Sequence, residues 1–297
     1  MHVLTLIADP AARAVTSARV EAARAVLARL GAAPGAPTWL SPAVACDIPF
    51  DPEETEAQPV ADAVRTALAD APVDVAVQPA AGRARAVLLA DMDSTIVTSE
   101  TLDDLAEALD LKERVAAITA RAMNGELDFA AALRERVGLL AGLEESAVQG
   151  VLDRVRLTPG AEALVQRMKA AGATTVLVSG GFTSIAGPVA ARCGFDRVVA
   201  NRLLFEGGRL SGGVATPIVD KDTKLATLHD AAAARGVGPA AVCAVGDGAN
   251  DLPMLQAAGL GVAFRAKPAV RAAAPCRIDH GDLTALLYLQ GFSDTDG

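Results

Sequence analysis

Carboxylates, a hydroxyl group and glycines follow directly after three apolar segments of this chain. Asp91 and Asp93 follow residues 86–90, VSGG contains Ser179 and Gly180, and GDGAND spans residues 246–251. Lys224 lies in DTKLATL, near the start of a predicted helix. If the apolar segments are parallel strands, their carboxyl ends bring these groups to one edge of a sheet. The sequence therefore predicts a single site with several carboxylates, one ammonium group and free backbone N–H groups.

A cluster of carboxylates without a histidine makes an all-oxygen site, which suits Mg²⁺ better than zinc. The carboxylates are Asp91, Asp93, Asp247 and Asp251. A lysine, a serine and the amides of a Gly-Gly turn at a helix start suit a phosphate group. An acidic cluster alone would repel a phosphate dianion, and a metal ion with a lysine resolves that conflict. The predicted chemistry is transfer of a phosphoryl group.

The spacing of Asp91 and Asp93 fits this chemistry. Alternate residues of an extended segment point to the same face, so both side chains could address one substrate. One carboxylate can attack phosphorus and hold it as an acyl phosphate. The other can protonate the leaving oxygen and then deprotonate the water that releases phosphate.

The elements that position these groups begin with a separate unit over residues 1–80. HVLTLIAD, a segment within 39–50 and residues 73–77 have strand character, and residues 14–30 and 55–69 have helical character. The order β-α-β-α-β, with a hairpin in the middle, suits a small ferredoxin-like α+β sandwich. PAAGRAR (79–85) is typical of a linker.

Residues 81–297 have the pattern of an α/β domain with a Rossmann-like parallel sheet. Predicted strands at 86–90, 174–178, 197–200, 241–245 and 260–263 alternate with helical segments. Residues of about 98–155 carry only helical patterns, at 101–109, 112–124, 129–141 and 144–155. Because this insertion follows the first strand, we expect a helical cap over the carboxyl ends of the strands. LLFEGGRLSGG (203–213) predicts a hairpin flap on the same sheet.

The composition argues against some classes of binding partner and favours one cellular compartment. A formal net charge of −9 argues against a nucleic-acid or anionic-membrane surface. Four scattered cysteines without a CxxC motif favour a reducing, cytoplasmic setting. No apolar stretch is long enough to span a bilayer. A homodimer is left open by the sequence.

The segments DMDST, VSGG, the isolated Lys224 and GDGAND resemble the four motifs of the haloacid dehalogenase superfamily. Over roughly residues 86–285 the sequence is similar to that of the phosphoserine phosphatase family within this superfamily. The similar segments include LTPG, SGGF and GDGANDLPML. The resemblance implies Mg²⁺-dependent hydrolysis of O-phospho-L-serine through an aspartyl phosphate, the last step of serine biosynthesis. Residues 1–80 look like the ACT-type domain that some members carry.

The resemblance also implies roles for the matching residues. Asp91 would be the nucleophile and Asp93 the general acid/base. Mg²⁺ would be held by Asp247, the Asp91 side chain and the Asp93 carbonyl, with Asp251 in support. Phosphate would be bound by Ser179, Gly180, Lys224 and Asn250. Cap residues that contact the substrate would be Glu100, Met123, Phe129 and Arg136.

The cap residues suit a phosphorylated amino acid on chemical grounds as well. Glu100 can neutralise an ammonium group, and Arg136 can bind a carboxylate with two hydrogen bonds. Phe129 and Arg136 are two helical turns apart and share a helix face, with Asp128 as N-cap and Gly125 ending the preceding helix. The residue types alone equally allow a solvated Arg136 and core positions for Met123 and Phe129.

Other functions fit parts of the pattern. The alternatives are a related phosphotransferase, or a phosphatase that acts on another small phosphorylated amino acid or amine. A phospho-accepting signalling module is disfavoured by Asp93, because a switch should keep its acyl phosphate. An aspartyl-phosphate ATP pump is excluded by the missing membrane spans.

Overall fold

The amino-terminal part of the chain is an antiparallel sheet with two helices. The computed structural model describes residues 1–51, 57–107, 109–123 and 126–295. The first elements are β1 (His2–Ala8), α1 (Ser17–Arg29), β2 (Ala33–Pro34), β3 (Thr38–Ser41), β4 (Ala45–Asp51), α2 (Ala57–Ala67) and β5 (Val73–Pro79). The sheet order is β2-β4-β1-β5, with β3 also paired to β4. This confirms the predicted ferredoxin-like arrangement with its central hairpin; residues 55 and 56 of the second predicted helix lie outside the described residues.

The remaining elements alternate strand and helix, apart from one helical insertion. In chain order they are β6 (Val87–Ala90), α3 (Thr101–Glu107), α4 (Lys112–Met123), α5 (Phe129–Leu139), α6 (Glu145–Arg154), α7 (Ala161–Ala170), β7 (Thr174–Phe182), α8 (Thr183–Cys193), β8 (Arg197–Asn201), β9 (Leu203–Glu206), β10 (Arg209–Val214), α9 (Lys221–Ala234), β11 (Val242–Gly246), α10 (Leu252–Ala257), β12 (Leu260–Phe264), α11 (Pro268–Ala273), β13 (Cys276–Ile278) and α12 (Ala285–Leu289).

Six of these strands form a parallel sheet in the order β13-β12-β11-β6-β7-β8. Every residue of β6, β11 and β12 is buried, which explains their continuous apolar sequences. The predicted Rossmann-like sheet is therefore confirmed. Its edge strand β13 was not predicted, because three residues that include an arginine give too short a signal.

The cap predicted between residues 98 and 155 consists of α3 to α6. Two short antiparallel segments connect it to the sheet: the N–H of Thr98 donates to the carbonyl of Arg156 (3.0 Å), and the N–H of Thr158 donates to the carbonyl of Ile96 (2.9 Å). The predicted end of one cap helix at Gly125 lies outside the described residues.

The hairpin β9–β10 is present, but the expectation that it extends the main sheet is wrong. It forms a separate two-stranded sheet. Leu210 exchanges backbone hydrogen bonds with the cap loop, to Gly142 and Leu143 (both 2.8 Å). The side chain of Arg209 also contacts Glu144 at 2.6 Å. The hairpin thus joins the cap, because the loop after α5 offers it backbone partners.

The two faces of the amino-terminal sheet are buried by different partners. Leu4, Leu6 and Ile48 pack with α1 and α2 in one cluster. Ile7, on the opposite face, belongs to the main core together with the apolar residues of α12. Alternation along the strands thus gives each face its own partner. Within the described residues, no helix combines the length and apolar character needed to cross a bilayer.

Candidate active site

Lys224 lies at the centre of the predicted cluster. Its Nζ donates to Asp91 Oδ1 and to Asp251 Oδ1, each at 2.6 Å, and its side chain is completely buried. Asp91 follows β6, and its N–H donates to the carbonyl of Val245 in β11 (3.0 Å). The side chain of Asp220 caps α9 by accepting the N–H of Thr223 (2.9 Å), and this start places Lys224 on the buried face of the helix.

Three buried carboxylates lie together here: Asp91 and Asp251 contact the buried ammonium group, and Asp247 lies 3.9 Å from Nζ of the exposed Lys267. Oxygen atoms of Asp91, Asp247 and Asp251 all lie within 4.8 Å of one another. Burial and the neighbouring Asp251 raise the pKa of Asp91, although Lys224 opposes this effect, and burial raises the pKa of Asp247 to about 6. The pKa of Lys224 is also raised, because the two carboxylates outweigh its desolvation. The cluster therefore carries surplus negative charge, which a divalent cation would neutralise.

Asp93 lies beside this cluster and contacts the cap. Its Oδ1 accepts the N–H of Thr101, the first residue of α3, at 3.2 Å. Its Oδ2 would lie 2.9 Å from a Cβ atom at Gly181, so a side chain there would crowd the carboxylate. Burial and Glu100 raise the pKa of Asp93 to about 7. Asp91 and Asp93 both have extended backbone angles, as their spacing suggested, and the chain turns at Ser94, where φ is 54°.

The predicted phosphate-binding residues come from helix α9, the turn after β11 and a bulge in β7. Ser179 pairs with Ala200 and Phe182 with Asn201, so two glycines leave the β7–β8 ladder. The expected Gly-Gly turn at a helix start is therefore wrong: the glycines form a bulge inside β7, and α8 begins only at Thr183. The buried Ser179 Oγ accepts the N–H of Gly181 (2.8 Å).

Asn250 is the last of the four predicted phosphate ligands. It is half-buried in the 3₁₀ turn Ala249–Asp251 that follows β11. Its Oδ1 is turned back onto Gly248 and occupies the space that a side chain there would need. The N–H of Gly248 donates to Asp251 Oδ2 at 2.9 Å, so the turn is held to the carboxylate cluster.

The cap brings Phe129 directly onto the bulge of β7. Its Cζ would lie 3.2 Å from a Cβ atom at Gly180, so glycine permits this close approach. The Asp128 side chain caps α5, as predicted, by accepting the N–H of Ala131 at 2.6 Å. Met123 ends α4, and its side chain lies outside the described residues.

Arg136 and Glu100 lie close enough to interact electrostatically. Burial lowers the pKa of Arg136, whereas Asp103 and Glu100 raise it. Glu100 is exposed and accepts a hydrogen bond from Ser94 Oγ at 2.8 Å. A solvated Arg136, the alternative left open by the sequence, does not fit its partial burial.

Three residues that shape this site were not predicted: Thr101, Asp103 and Asn201. Asp103 adds a carboxylate near Arg136, but these residues belong to different cap helices, and no local pattern relates them. Asn201 could have been predicted from the sequence, because it is a polar residue at the end of a predicted strand. The same signal had identified Asp91 and Ser179.

Comparison with known proteins adds a family to this geometry. The model of the haloacid dehalogenase-like hydrolase family matches residues 88–256, which is more than half of the chain. The chain belongs to this family. A HAD family hydrolase from Salmonella enterica serovar Typhi has a similar structure, with a TM-score of 0.86 and 28% identity over 100% of both chains. The buried carboxylates therefore occur in a family of hydrolases.

Two curated relatives carry the same functional name. The phosphoserine phosphatase of Streptomyces coelicolor is 44% identical over 249 residues, which cover 83% of this chain and 60% of that protein. The phosphoserine phosphatase of Lactococcus lactis is 44% identical over 214 residues, which cover 72% of this chain and 99% of that protein. The chain thus spans about three fifths of the length of the first relative and nearly all of the second.

Proposed function

We propose that this protein hydrolyses O-phospho-L-serine to L-serine and phosphate, the last step of serine biosynthesis. The observation that carries the proposal is the arrangement of Asp91, Asp93 and Lys224 beneath a cap that holds Arg136 and Glu100. The first three suit phosphoryl transfer, and the last two suit the charged ends of an amino acid. The names of the relatives support the same substrate.

The reaction requires two roles from the carboxylate pair. Asp91 attacks phosphorus and forms an aspartyl phosphate, while the bond from phosphorus to the serine oxygen breaks. Asp93 protonates that oxygen, and it later accepts a proton from the water that hydrolyses the aspartyl phosphate. A pKa of about 7 lets Asp93 act in both directions near neutral pH.

We further propose that the site binds Mg²⁺. The donor set fits, because it offers buried carboxylate oxygens with surplus negative charge and no nitrogen or sulfur. Asp91, Asp247 and the carbonyl of Asp93 would hold the ion. Both oxygens of Asp251 already accept hydrogen bonds, from Lys224 and Gly248, which suits a supporting position. When bound, such an ion neutralises charge on the phosphoryl oxygens.

The phosphate group would lie between the β7 bulge and α9. In this proposal Lys224 supplies the positive charge, and Ser179, Gly180 and Asn250 supply hydrogen bonds. Phe129 covers Gly180 and helps to exclude water from this region.

In this proposal, two charged side chains recognise the carboxylate and the ammonium group of the substrate. Arg136 binds the carboxylate of phosphoserine, and Glu100 neutralises its ammonium group. Phe129 would line the space between them, and Met123 is kept as a proposed substrate-binding residue on the family resemblance. A phosphate ester without these two charges would lose both contacts.

The experiment compares kcat/KM for phosphoserine with kcat/KM for an aryl phosphate. Arg136→Ala should cost phosphoserine about 2–5 kcal/mol of transition-state stabilisation, because it leaves a desolvated carboxylate unpaired. The aryl phosphate has no carboxylate, so its slower hydrolysis should barely change. Arg136→Lys should recover only part of the loss, because an ammonium group cannot form the paired hydrogen bonds of a guanidinium group.

A matched control is Arg134→Ala, which removes an exposed arginine from the same helix. It should leave the ratio of the two kcat/KM values unchanged. Equal losses on both substrates in Arg136→Ala would refute the substrate assignment, since Arg136 would then only support the cap.

The organisation of the chain is also a proposal. We propose an ACT-like unit over residues 1–80 and a phosphatase domain over residues 81–297, with the cap at about 98–155. The separate apolar cluster of the first unit supports this division. Four cysteines without disulfide bonds support a cytoplasmic location.

A further inference from the structure

We propose that Asn201 is a positioning residue that fixes the two phosphate-binding elements to each other. The inference rests on the phosphate site proposed above, and it assigns a role to a residue outside the four sequence motifs. Asn201 ends β8, and its side chain is 1% exposed. It touches neither the carboxylate cluster nor the cap in the hydrogen bonds that it makes.

The side-chain amide of Asn201 spans two backbone segments. Its Nδ2 donates to the carbonyl of Gly180 at 2.8 Å, and its Oδ1 accepts the N–H of Val219 at 2.8 Å. The first bond holds the residue next to Ser179. The second holds the residue next to Asp220, the N-cap of the helix that carries Lys224. One amide therefore sets the distance between the two parts of the phosphate site.

The β7 bulge explains why a side chain is needed here. Gly180 has left the ladder with β8, so no strand N–H reaches its carbonyl. Gly180 is half-buried, and a carbonyl that is screened from water is costly without a donor; Asn201 supplies that donor. The bulge is what presents Ser179 and Gly180 to the site, so Asn201 stabilises the shape on which binding depends.

The surroundings of Gly180 leave little room for this shape to relax. A Cβ atom at Gly180 would lie 3.2 Å from Phe129 and 4.0 Å from the carbonyl of Val219. The cap and the segment before α9 thus meet at the carbonyl that Asn201 holds. If the amide is lost, the bulge can shift only by disturbing one of these two neighbours.

The opposite end of the same strand pair provides a matched control. Thr175 is completely buried in β7, and its Oγ1 donates to Asp196 Oδ2 (3.0 Å) and accepts the N–H of Asp196 (3.1 Å). It also braces β7 against the start of β8, but at the end of the sheet away from the site. Thr175→Val removes a comparable number of hydrogen bonds and keeps the shape of the side chain.

The test measures the affinity for inorganic phosphate in the presence of Mg²⁺, by calorimetry on the full chain. In its ionised form, the side chain of Asn201→Asp keeps the acceptor for Val219 but has no hydrogen to donate to Gly180; Asn201→Ala removes the donor in any protonation state. We expect phosphate to bind roughly 5- to 100-fold more weakly, the range for losing one buried hydrogen-bond partner. kcat/KM should fall alike for phosphoserine and for an aryl phosphate, because both contain the phosphate group. Thr175→Val should lower the melting temperature and leave phosphate affinity unchanged.

Wild-type phosphate affinity in folded Asn201→Asp, or equal weakening in Thr175→Val, would overturn the inference. If burying a carboxylate prevents folding, Asn201→Ala carries the same test without a buried charge. Wild-type protein that binds phosphate but does not hydrolyse phosphoserine would refute the proposed substrate, whereas the comparison of phosphate affinities would still decide the role of Asn201.

Discussion

Buried carboxylates occur in the two larger sheets of this molecule, and their partners differ. In the antiparallel sheet, Asp47 accepts hydrogen bonds from Arg83 (2.5 Å) and Thr5 (2.7 Å). Asp74 accepts the N–H groups of residues 279–281 at distances of 2.7–3.2 Å. At the edge of the parallel sheet, Asp91 and Asp251 share one buried lysine, and the neighbouring Asp247 lies 3.9 Å from the exposed Lys267.

This difference separates carboxylates that hold the fold together from carboxylates that serve chemistry. Asp47 and Asp74 each have dedicated donors within the fold, although burial still raises the pKa of Asp74. Asp91, Asp247 and Asp251 instead bring three carboxylates close together around one buried ammonium group, which costs stability. A protein keeps such a cost where activity needs it. The comparison can be tested by neutralising one carboxylate at a time.

The largest effect is expected for Asp91→Asn. An amide cannot form an aspartyl phosphate, so hydrolysis of phosphoserine should fall to background. The metal-free variant should be no less stable than the metal-free wild type. The substitution removes one negative charge from a cluster in which carboxylates outnumber positive groups. Phosphate release and thermal unfolding measure the two quantities. Near-normal turnover in Asp91→Asn would remove the proposed nucleophile.

Removal of the metal should abolish phosphate release almost as completely as Asp91→Asn does. A chelator should abolish phosphate release, Mg²⁺ should restore it, and Ca²⁺ should restore it poorly because its coordination is looser. Mg²⁺ at 100 times its dissociation constant should stabilise the wild-type fold by about 2.7 kcal/mol. Asp247→Asn should lose this thermal shift, and Asp74→Asn should keep it. The reverse pattern would place the metal elsewhere.

An intermediate effect is expected for Asp93→Asn, since Asp93 has one backbone donor in Thr101. Loss of a general acid/base should slow kcat by roughly 10²–10⁴-fold. In kcat/KM the loss should be larger for phosphoserine than for an aryl phosphate, because an aryl oxide needs less help from an acid to leave. Identical losses on both substrates would argue against protonation of the leaving group by Asp93.

The smallest effect on catalysis is expected for Asp74→Asn. The carboxylate of Asp74 accepts three N–H groups with two oxygens, whereas an amide offers only one oxygen. The NH₂ group of the amide would then face the N–H donors of residues 279–281. Unfolding in denaturant should show a loss of about 1–3 kcal/mol, the cost of unsatisfied buried groups. At temperatures where the variant is folded, kcat/KM should match wild type. A selective loss of kcat would contradict a purely structural role.

The sequence predicted the parts of this molecule that depend on local patterns. Five strands of the parallel sheet contain short apolar runs, and the residues that follow three of these runs are Asp91, Ser179 and Asp247. The β7 bulge was missed, because SGGF reads equally well as a turn when the partner strand is unknown. The bond between Asn201 and Gly180 was missed for the same reason.

Contacts between distant segments could not be predicted from the pattern. Asp74 lies in VDVAV, which gives only the signal of a strand, and its partner amides are 205 or more residues away. Asp103 and Arg136 likewise belong to separate helices. Hairpin β9–β10 was recognised from its glycines, but its attachment to the cap depends on backbone groups that all sequences share.

The position of α12 has a consequence for synthesis on the ribosome. One face of the amino-terminal sheet packs on α12, and Asp74 and Leu40 bond to residues 279–281 and to Asp294. About 200 residues separate Pro79 from these partners, which at 5–20 residues per second means roughly 10–40 s of translation. During that interval the nascent sheet presents Ile7 and its apolar neighbours uncovered. Chaperones that bind exposed apolar surface would have their longest access to the chain there.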